Sequence, residues 1–191
     1  DVGAYLTRHN LVDTIHITGS ARTHDAIVFG VGEEGEQHKR ENQSIMNKPI
    51  SSELGGVSPT IVVPGPWSKG DFKFQAENIA TQKLHNAGHN CIATQVLIMP
   101  KEWVGTKKLL QEVENKIANT ESRPAYYPGA ADRQNAAREH ANAKSLNCDV
   151  DRTIIYDVDA LIDEPCFTDE YFGPVLTTVS LDGSDPVAFL K

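Results

Sequence analysis

The longest apolar runs in this chain are strand-sized, and several are closed by glycine or proline. Leu11 to Thr18 is apolar and β-branched and stops at Gly19-Ser20, while Thr60 to Pro64 and Val96 to Pro100 end at proline. Runs of this kind suit strands that enter tight turns. None approaches the roughly 20 uninterrupted apolar residues that span a bilayer, so a membrane span is not expected.

Segments of helical length separate these runs. A helix is expected from about Ala21 to Val31, followed by a loop marked by Gly30, Gly32 and Gly35 with Glu33, Glu34 and Glu36. Pro49 to Leu54 and Pro59 to Val63 read as short strands divided by Gly55-Gly56. From Ser68 to Leu84, Phe72, Phe74, Ile79, Ala80 and Leu84 follow a loose helical period behind Ser68 as N-cap. Trp103 to Ala118 fits an amphipathic helix better, with Val104, Leu109, Leu110, Val113 and Ile117 near one stripe. A polar, alanine-rich helix is expected from Asp132 to Lys144 after the Pro128-Gly129 break. Ala93 to Met99, Thr153 to Val158 and Val175 to Leu181 complete the strands. Strands alternating with helices indicate an α/β architecture with parallel sheets.

Composition narrows the function classes. Apolar residues make up 39% of 191 and there are 14 glycines, enough for a packed core in one domain or two lobes. The formal net charge of −8 argues against a protein that tracks nucleic-acid phosphates. Three cysteines, Cys91, Cys148 and Cys166, are widely spaced without a CxxC pair, which indicates neither a disulfide framework nor a zinc ribbon. A reducing, cytoplasmic setting is expected.

Four segments carry residues suited to chemistry. In Ile17-Thr18-Gly19-Ser20 a strand runs through glycine into a helix start, where free amides can hold a phosphate; a simple N-cap is the plainer alternative. There is no GxGxxG pattern. In Glu53-Leu54-Gly55-Gly56 a carboxylate closes a strand before a flexible pair. If buried it could serve as a general base, and otherwise it is an exposed strand-end glutamate. Asn86-Ala87-Gly88-His89-Asn90-Cys91 ends a glycine-containing loop in a thiol that is either activated or buried and inert. His85 and His89 lie near it, but the spacing offers no fourth metal ligand. In Asp169-Glu170-Tyr171-Phe172-Gly173-Pro174-Val175, Glu170 is either an acceptor for a ligand hydroxyl or a surface carboxylate.

In this order, Ile-Thr-Gly-Ser, Glu-Leu-Gly-Gly-Val-Ser-Pro, Asn-Ala-Gly-His-Asn-Cys-Ile-Ala and Glu-Tyr-Phe-Gly-Pro-Val-Leu resemble the signature segments of the aldehyde dehydrogenase superfamily. The resemblance covers nearly the whole chain. It implies residues 1–52 as the end of a Rossmann-like cofactor-binding domain and 53–191 as an α/β catalytic domain, incomplete at its C-terminus. It implies that Cys91 attacks an aldehyde, that the resulting thiohemiacetal gives up hydride to NAD or NADP, and that Glu53 activates the water that hydrolyses the thioester. Gly19 and Ser20 are then placed near the cofactor pyrophosphate, the Leu54 backbone near the nicotinamide, and Glu170 on the ribose hydroxyls. The backbone amide of Cys91 matches one oxyanion donor, whereas the partner asparagine belongs to an upstream motif not contained here. The resemblance therefore implies a piece of a longer, homo-oligomeric enzyme, inactive as the piece alone.

There are departures from the family pattern. His24 stands where a second glycine usually follows the serine turn, Val96 where a basic residue usually follows the nucleophile, and His89 where glutamine is common. The interval of 38 positions from Glu53 to Cys91 is a few residues longer than usual, which fits an insertion at Gly65-Pro66-Trp67-Ser68. Two other readings stay open. One is acyl transfer to CoA, against which Glu53 argues because that transfer does not need its base. The other is a noncatalytic module that keeps the fold.

Overall fold

The computed structural model describes residues 2–121, 123–146 and 151–189, so Cys148 lies outside the described residues. The chain divides into two units, residues 1–55 and 56–191. In the first, α1 (Val2–Arg8) leads to β1 (Ile15–Gly19), α2 (Ala21–Val28), α3 (Gly32–Arg40) and β2 (Ile50–Leu54). The two strands pair in parallel, Ile15 opposite Ile50 and Gly19 opposite Leu54, with both helices in the crossover.

Two expectations are corrected in this unit. The first strand begins at Ile15 because Leu11, 85% exposed, lies in a turn after α1. Lys48 Nζ fixes that end of α1 by donating to the carbonyls of Thr7 and His9 at 2.9 and 2.7 Å. The expected loop at Gly30 to Glu36 instead opens α3. Glu33 and Glu34 lie in its first turn and His38, Lys39 and Arg40 in its last, a distribution that suits the helix dipole at both ends. Gly35 is required there, since a Cβ would stand 2.4 Å from the Gly30 carbonyl oxygen. Lys39 then joins α3 to α2 through a 2.7 Å ion pair with Asp25.

The second unit contains β3 (Ser58–Ile61), α4 (Lys69–Leu84), a 3-10 turn (His85–Gly88), β4 (Thr94–Pro100), α5 (Thr106–Asn119), α6 (Ala130–Glu139), β5 (Ala143–Ser145), β6 (Thr153–Ile155), α7 (Pro165–Thr168), β7 (Val175–Leu181) and α8 (Pro186–Phe189). Its sheet runs β3-β4-β7-β6-β5, parallel except for the antiparallel β5 edge. Ser68 caps α4 as expected. Its Oγ accepts from the Asp71 N–H and the Asp71 carboxylate accepts from the Ser68 N–H, forming a reciprocal capping box.

Two helix boundaries differ from the sequence pattern. The helix expected from Trp103 begins at Thr106, which leaves Val104 95% exposed outside the stripe. Trp103 instead joins Trp67 and Phe72, at ring distances of 4.8 and 5.6 Å, and donates from Nε1 to the Gly65 carbonyl at 3.2 Å. This contact anchors the segment Gly65 to Ser68. The helix expected to reach Lys144 stops at Glu139, and Ala143–Ser145 pairs with β6. Strand pairing here overrides the helical propensity of the alanine-rich sequence.

Adjacent strand residues point to opposite layers. Ile154 and Leu176 join the core with α4 and α5, whereas Ile155 and Val175 join Ala137, Cys166 and Tyr171 on the other face. Burial on both faces accounts for the unbroken apolar runs. Leu97 is wholly buried beneath α4 and α5. Leu97→Ala is expected to destabilise the fold by about 2–5 kcal/mol, read as a lower denaturant midpoint at unchanged slope.

Candidate active site

The expected site residues fall into two groups, one in each unit. In the first unit, parallel pairing sets Thr18 opposite Glu53 and Gly19 opposite Leu54, so the C-terminal ends of both strands carry candidate residues side by side. Ser20 follows directly and caps α2, its Oγ accepting from the Thr23 N–H at 3.2 Å. Glu53 is exposed at the strand end.

In the second unit, the Cys91 loop is locked to the turn that carries Glu170. Asn86, Ala87 and Gly88 are successive left-handed residues, at φ of 53°, 55° and 78°. Such a conformation costs a non-glycine residue about 1–2 kcal/mol, so the surroundings must enforce it. Gly88 meets Gly173 backbone to backbone, and a Cβ on it would lie 2.4 Å from the Gly173 carbonyl oxygen. Phe172 on the facing turn is also left-handed, at φ 42°.

His89 closes this contact. It is 4% exposed, and its Nε2 accepts from the Tyr126 N–H at 3.3 Å, which leaves the proton on Nδ1 to donate to the Phe172 carbonyl at 2.8 Å. Tyr126, Tyr127 and Phe172 surround the ring at centroid distances of 4.9 to 5.4 Å. Both ring nitrogens are thus committed to protein groups, and no cluster of three potential metal ligands occurs among the described residues. Burial lowers the His89 pKa, and the nearby charges of Arg133 and Lys83 lower it further against the opposing Phe172 bond.

Cys91 itself is exposed, beyond Asn90, whose Oδ1 accepts from the Ile92 N–H at 3.1 Å. The Cys91 N–H makes no hydrogen bond among the described residues. Its carbonyl accepts from Ser58 Oγ at 3.3 Å. Cys166 differs: it is 1% exposed, and burial pushes its thiol pKa up.

Glu170 is half-buried. Desolvation raises its pKa, countered by the charges of Lys83 and Arg133. Its turn is held by Arg133 Nε donating to the Tyr171 carbonyl at 2.7 Å and by the buried amide of Gln95. Gln95 Nε2 donates to the carbonyls of Cys166 and Asp169 at 3.0 and 2.7 Å, and its Oε1 accepts from the Tyr171 N–H at 2.8 Å. Sequence reasoning passed over Gln95 and Lys83. Their signal was a polar residue within an apolar run and a lysine on the apolar face of a helix.

The aldehyde dehydrogenase family profile matches residues 1–187. This chain belongs to the aldehyde dehydrogenase family. A lactaldehyde dehydrogenase of Methanococcus maripaludis is 24% identical over 198 aligned positions, covering 96% of this chain and 39% of the relative. Among solved structures, aldehyde dehydrogenase C of Pseudomonas syringae, in complex with NAD+ and octanal, is 21% identical with a TM-score of 0.71. The match covers 95% of this chain and 39% of that one. An NADP-dependent glyceraldehyde-3-phosphate dehydrogenase from Bacillus halodurans, complexed with NADP, is 20% identical with a TM-score of 0.69, over 98% and 39% of the two chains. The chain thus spans about 39% of the length of these relatives, and the mixed, mostly parallel sheet is the aldehyde dehydrogenase fold.

The lowered His89 pKa makes the stability of this chain depend on pH. Between the folded value and the ordinary pKa of about 6.5 the unfolded state binds more protons. The contribution is therefore present above pH 6.5 or so and lost as pH falls through the folded value. Denaturant midpoints measured across that window are expected to drop with acid, and the slope is expected to flatten in His89→Gln.

Proposed function

We propose that the protein carrying this chain oxidises an aldehyde to a carboxylic acid with NAD or NADP as cofactor, using Cys91 as nucleophile and Glu53 as the base for hydrolysis. The observation that carries this reading is the backbone contact of Gly88 with Gly173, reinforced by His89, which sets the Cys91 loop beside the Glu170 turn. The order of the four motifs along the chain and its family membership support the same reading.

The residues present suit a dinucleotide. Gly19 and Ser20 open α2, whose first amides and dipole favour a pyrophosphate. The Leu54 backbone lies in register beside them. Glu170 makes no hydrogen bond among the described residues, which leaves it as an acceptor for ribose hydroxyls. In this reading residues 1–52 belong to the cofactor side and 53–191 to the catalytic side. NAD and NADP complexes are recorded for the two structural neighbours, and either cofactor would supply the hydride acceptor.

The chain's own groups carry the remaining chemistry. Cys91 Sγ, as thiolate, adds to the aldehyde carbon, and the carbonyl oxygen takes up the negative charge. The unpaired Cys91 N–H is the donor for that oxyanion. After loss of hydride the thioester is attacked by water, from which Glu53 takes a proton, releasing the acid and the Cys91 thiolate. Acyl transfer to CoA would not require this base.

Two outcomes are expected in the protein that carries this chain. Alkylation followed by peptide mapping should label Cys91 before Cys166, and activity should fall in step with that labelling; survival of activity would exclude Cys91 as the nucleophile. Glu53→Gln should keep a single-turnover burst of reduced cofactor while slowing the steady state by about 100-fold or more, in line with the contribution of a general base. Loss of the burst itself would place Glu53 in an earlier step.

A further inference from the structure

The nucleophile loop is also held from a third side. Tyr126, Tyr127, Pro128 and Gly129 lie in the connection from α5 to α6 and form a strap against it. The Tyr126 hydroxyl donates to Asn86 Oδ1 at 3.2 Å and accepts from Asn86 Nδ2 at 3.0 Å. The Tyr126 N–H donates to His89 Nε2 at 3.3 Å. One residue of the strap therefore grips both ends of the turn that precedes Cys91, Asn86 through its phenol and His89 through its backbone.

The strap is fixed in turn to the Glu170 side. Arg133 donates from Nη1 to the Pro128 carbonyl at 3.2 Å and from Nε to the Tyr171 carbonyl at 2.7 Å, and the Tyr127 ring meets Phe172 edge-on at 4.9 Å. Within the loop, Asn86 Nδ2 also donates to the His89 carbonyl at 3.1 Å, and the Asn86 carbonyl accepts from the His89 N–H at 3.0 Å. These bonds act on strained backbone. Ala87, at φ 55°, has no polar side chain to support a left-handed conformation, which costs such a residue about 5- to 30-fold in population. A neutral hydrogen bond returns about 2- to 10-fold, so the loop keeps its shape only while several contacts hold it together.

We propose that Tyr126 is a positioning residue for Cys91, its phenol clamping Asn86 so that the loop presents the thiol and the Cys91 N–H to one carbonyl group. This rests on the nucleophile role given to Cys91 above. The surroundings of Tyr126 suit a clamp rather than a core packing role. The residue is 58% exposed, yet its hydroxyl is turned back onto a single side-chain amide, to which it gives both a donor and an acceptor. Tyr126→Phe deletes those bonds and leaves the backbone bond to His89 in place, so it loosens the loop without disturbing the sheet.

The test is amide hydrogen exchange together with single-turnover kinetics on the protein that carries this chain. It compares the parent with Tyr126→Phe, Asn86→Gly and the double variant. Glycine at position 86 accepts the left-handed backbone while deleting the amide. Tyr126→Phe is expected to speed exchange across residues 86–93 by about 2- to 10-fold and to leave the other peptides unchanged. The rate of the reduced-cofactor burst should fall about 3- to 10-fold, because the reacting atoms are less often in line. The Kd for NAD+ or NADP+ and the melting temperature should stay at the parent's values, a split that a general loss of stability would not produce. Asn86→Gly should slow the burst likewise, and adding Tyr126→Phe to it should change the rate by no more than about twofold. Should Asn86→Gly fail to fold, Asn86→Asp takes its place, since it tolerates the same backbone and loses the Nδ2 donor, and Tyr126→Phe should then add less than it does in the parent. If exchange or the burst rate stays at the parent's value in Tyr126→Phe, or if the two substitutions add in full, the proposal is overturned while the nucleophile role of Cys91 stands. If alkylation of Cys91 leaves activity intact, that role falls and the proposal falls with it.

Discussion

The candidate site depends on a backbone contact that only glycine allows. Gly88 and Gly173 approach so closely that a single methyl group on Gly88 would press against the Gly173 carbonyl. With both side chains absent, the loop before Cys91 and the turn after Glu170 meet as two bare backbones. His89 then bridges them through the Phe172 carbonyl. The left-handed Asn86, Ala87 and Phe172 are the conformational cost of that approach, and the aromatic rings around His89 help to offset it.

The sheet holds this contact in register. β4 leaves the nucleophile loop and lies beside β7, which leaves the Glu170 turn, so the parallel pairing of Val96 with Thr177 brings both loops to one end of the sheet. Gln95 sits in β4 and satisfies all its bonding capacity toward the turn except one acceptor site, using two donors and one acceptor on Cys166, Asp169 and Tyr171. A buried amide satisfied in this way specifies one arrangement, because any shift would strand several polar groups at once. Buried Lys83 and half-buried Glu170 are the opposite case, making no hydrogen bond among the described residues.

Much of this was legible along the chain. The strand Val175–Leu181, the Ser68 cap and the parallel α/β class follow from local periodicity and turn chemistry, which sequence neighbours carry. The order of the four motifs led to the family. The misjudged segments were those where distant contacts outweigh local preference. Gly30 to Glu36 looked like a loop because its glycines were read as breakers, whereas Gly35 serves close packing in α3 and the charges suit the helix ends. Ala143 and Lys144 looked helical, but with Ser145 they pair with β6.

The sequence by itself determined the residue types able to do the chemistry, their order, and the alternation of strands and helices, because these depend on side-chain identity and short-range spacing. Only the tertiary structure decided which of them meet. It set Gly19 and Leu54 side by side at one strand end, brought the Cys91 loop against the Glu170 turn, and buried Lys83 within reach of Glu170's charge. These are contacts between residues far apart in the chain, and no local pattern encodes them; they exist only once the sheet register and the helix packing are fixed.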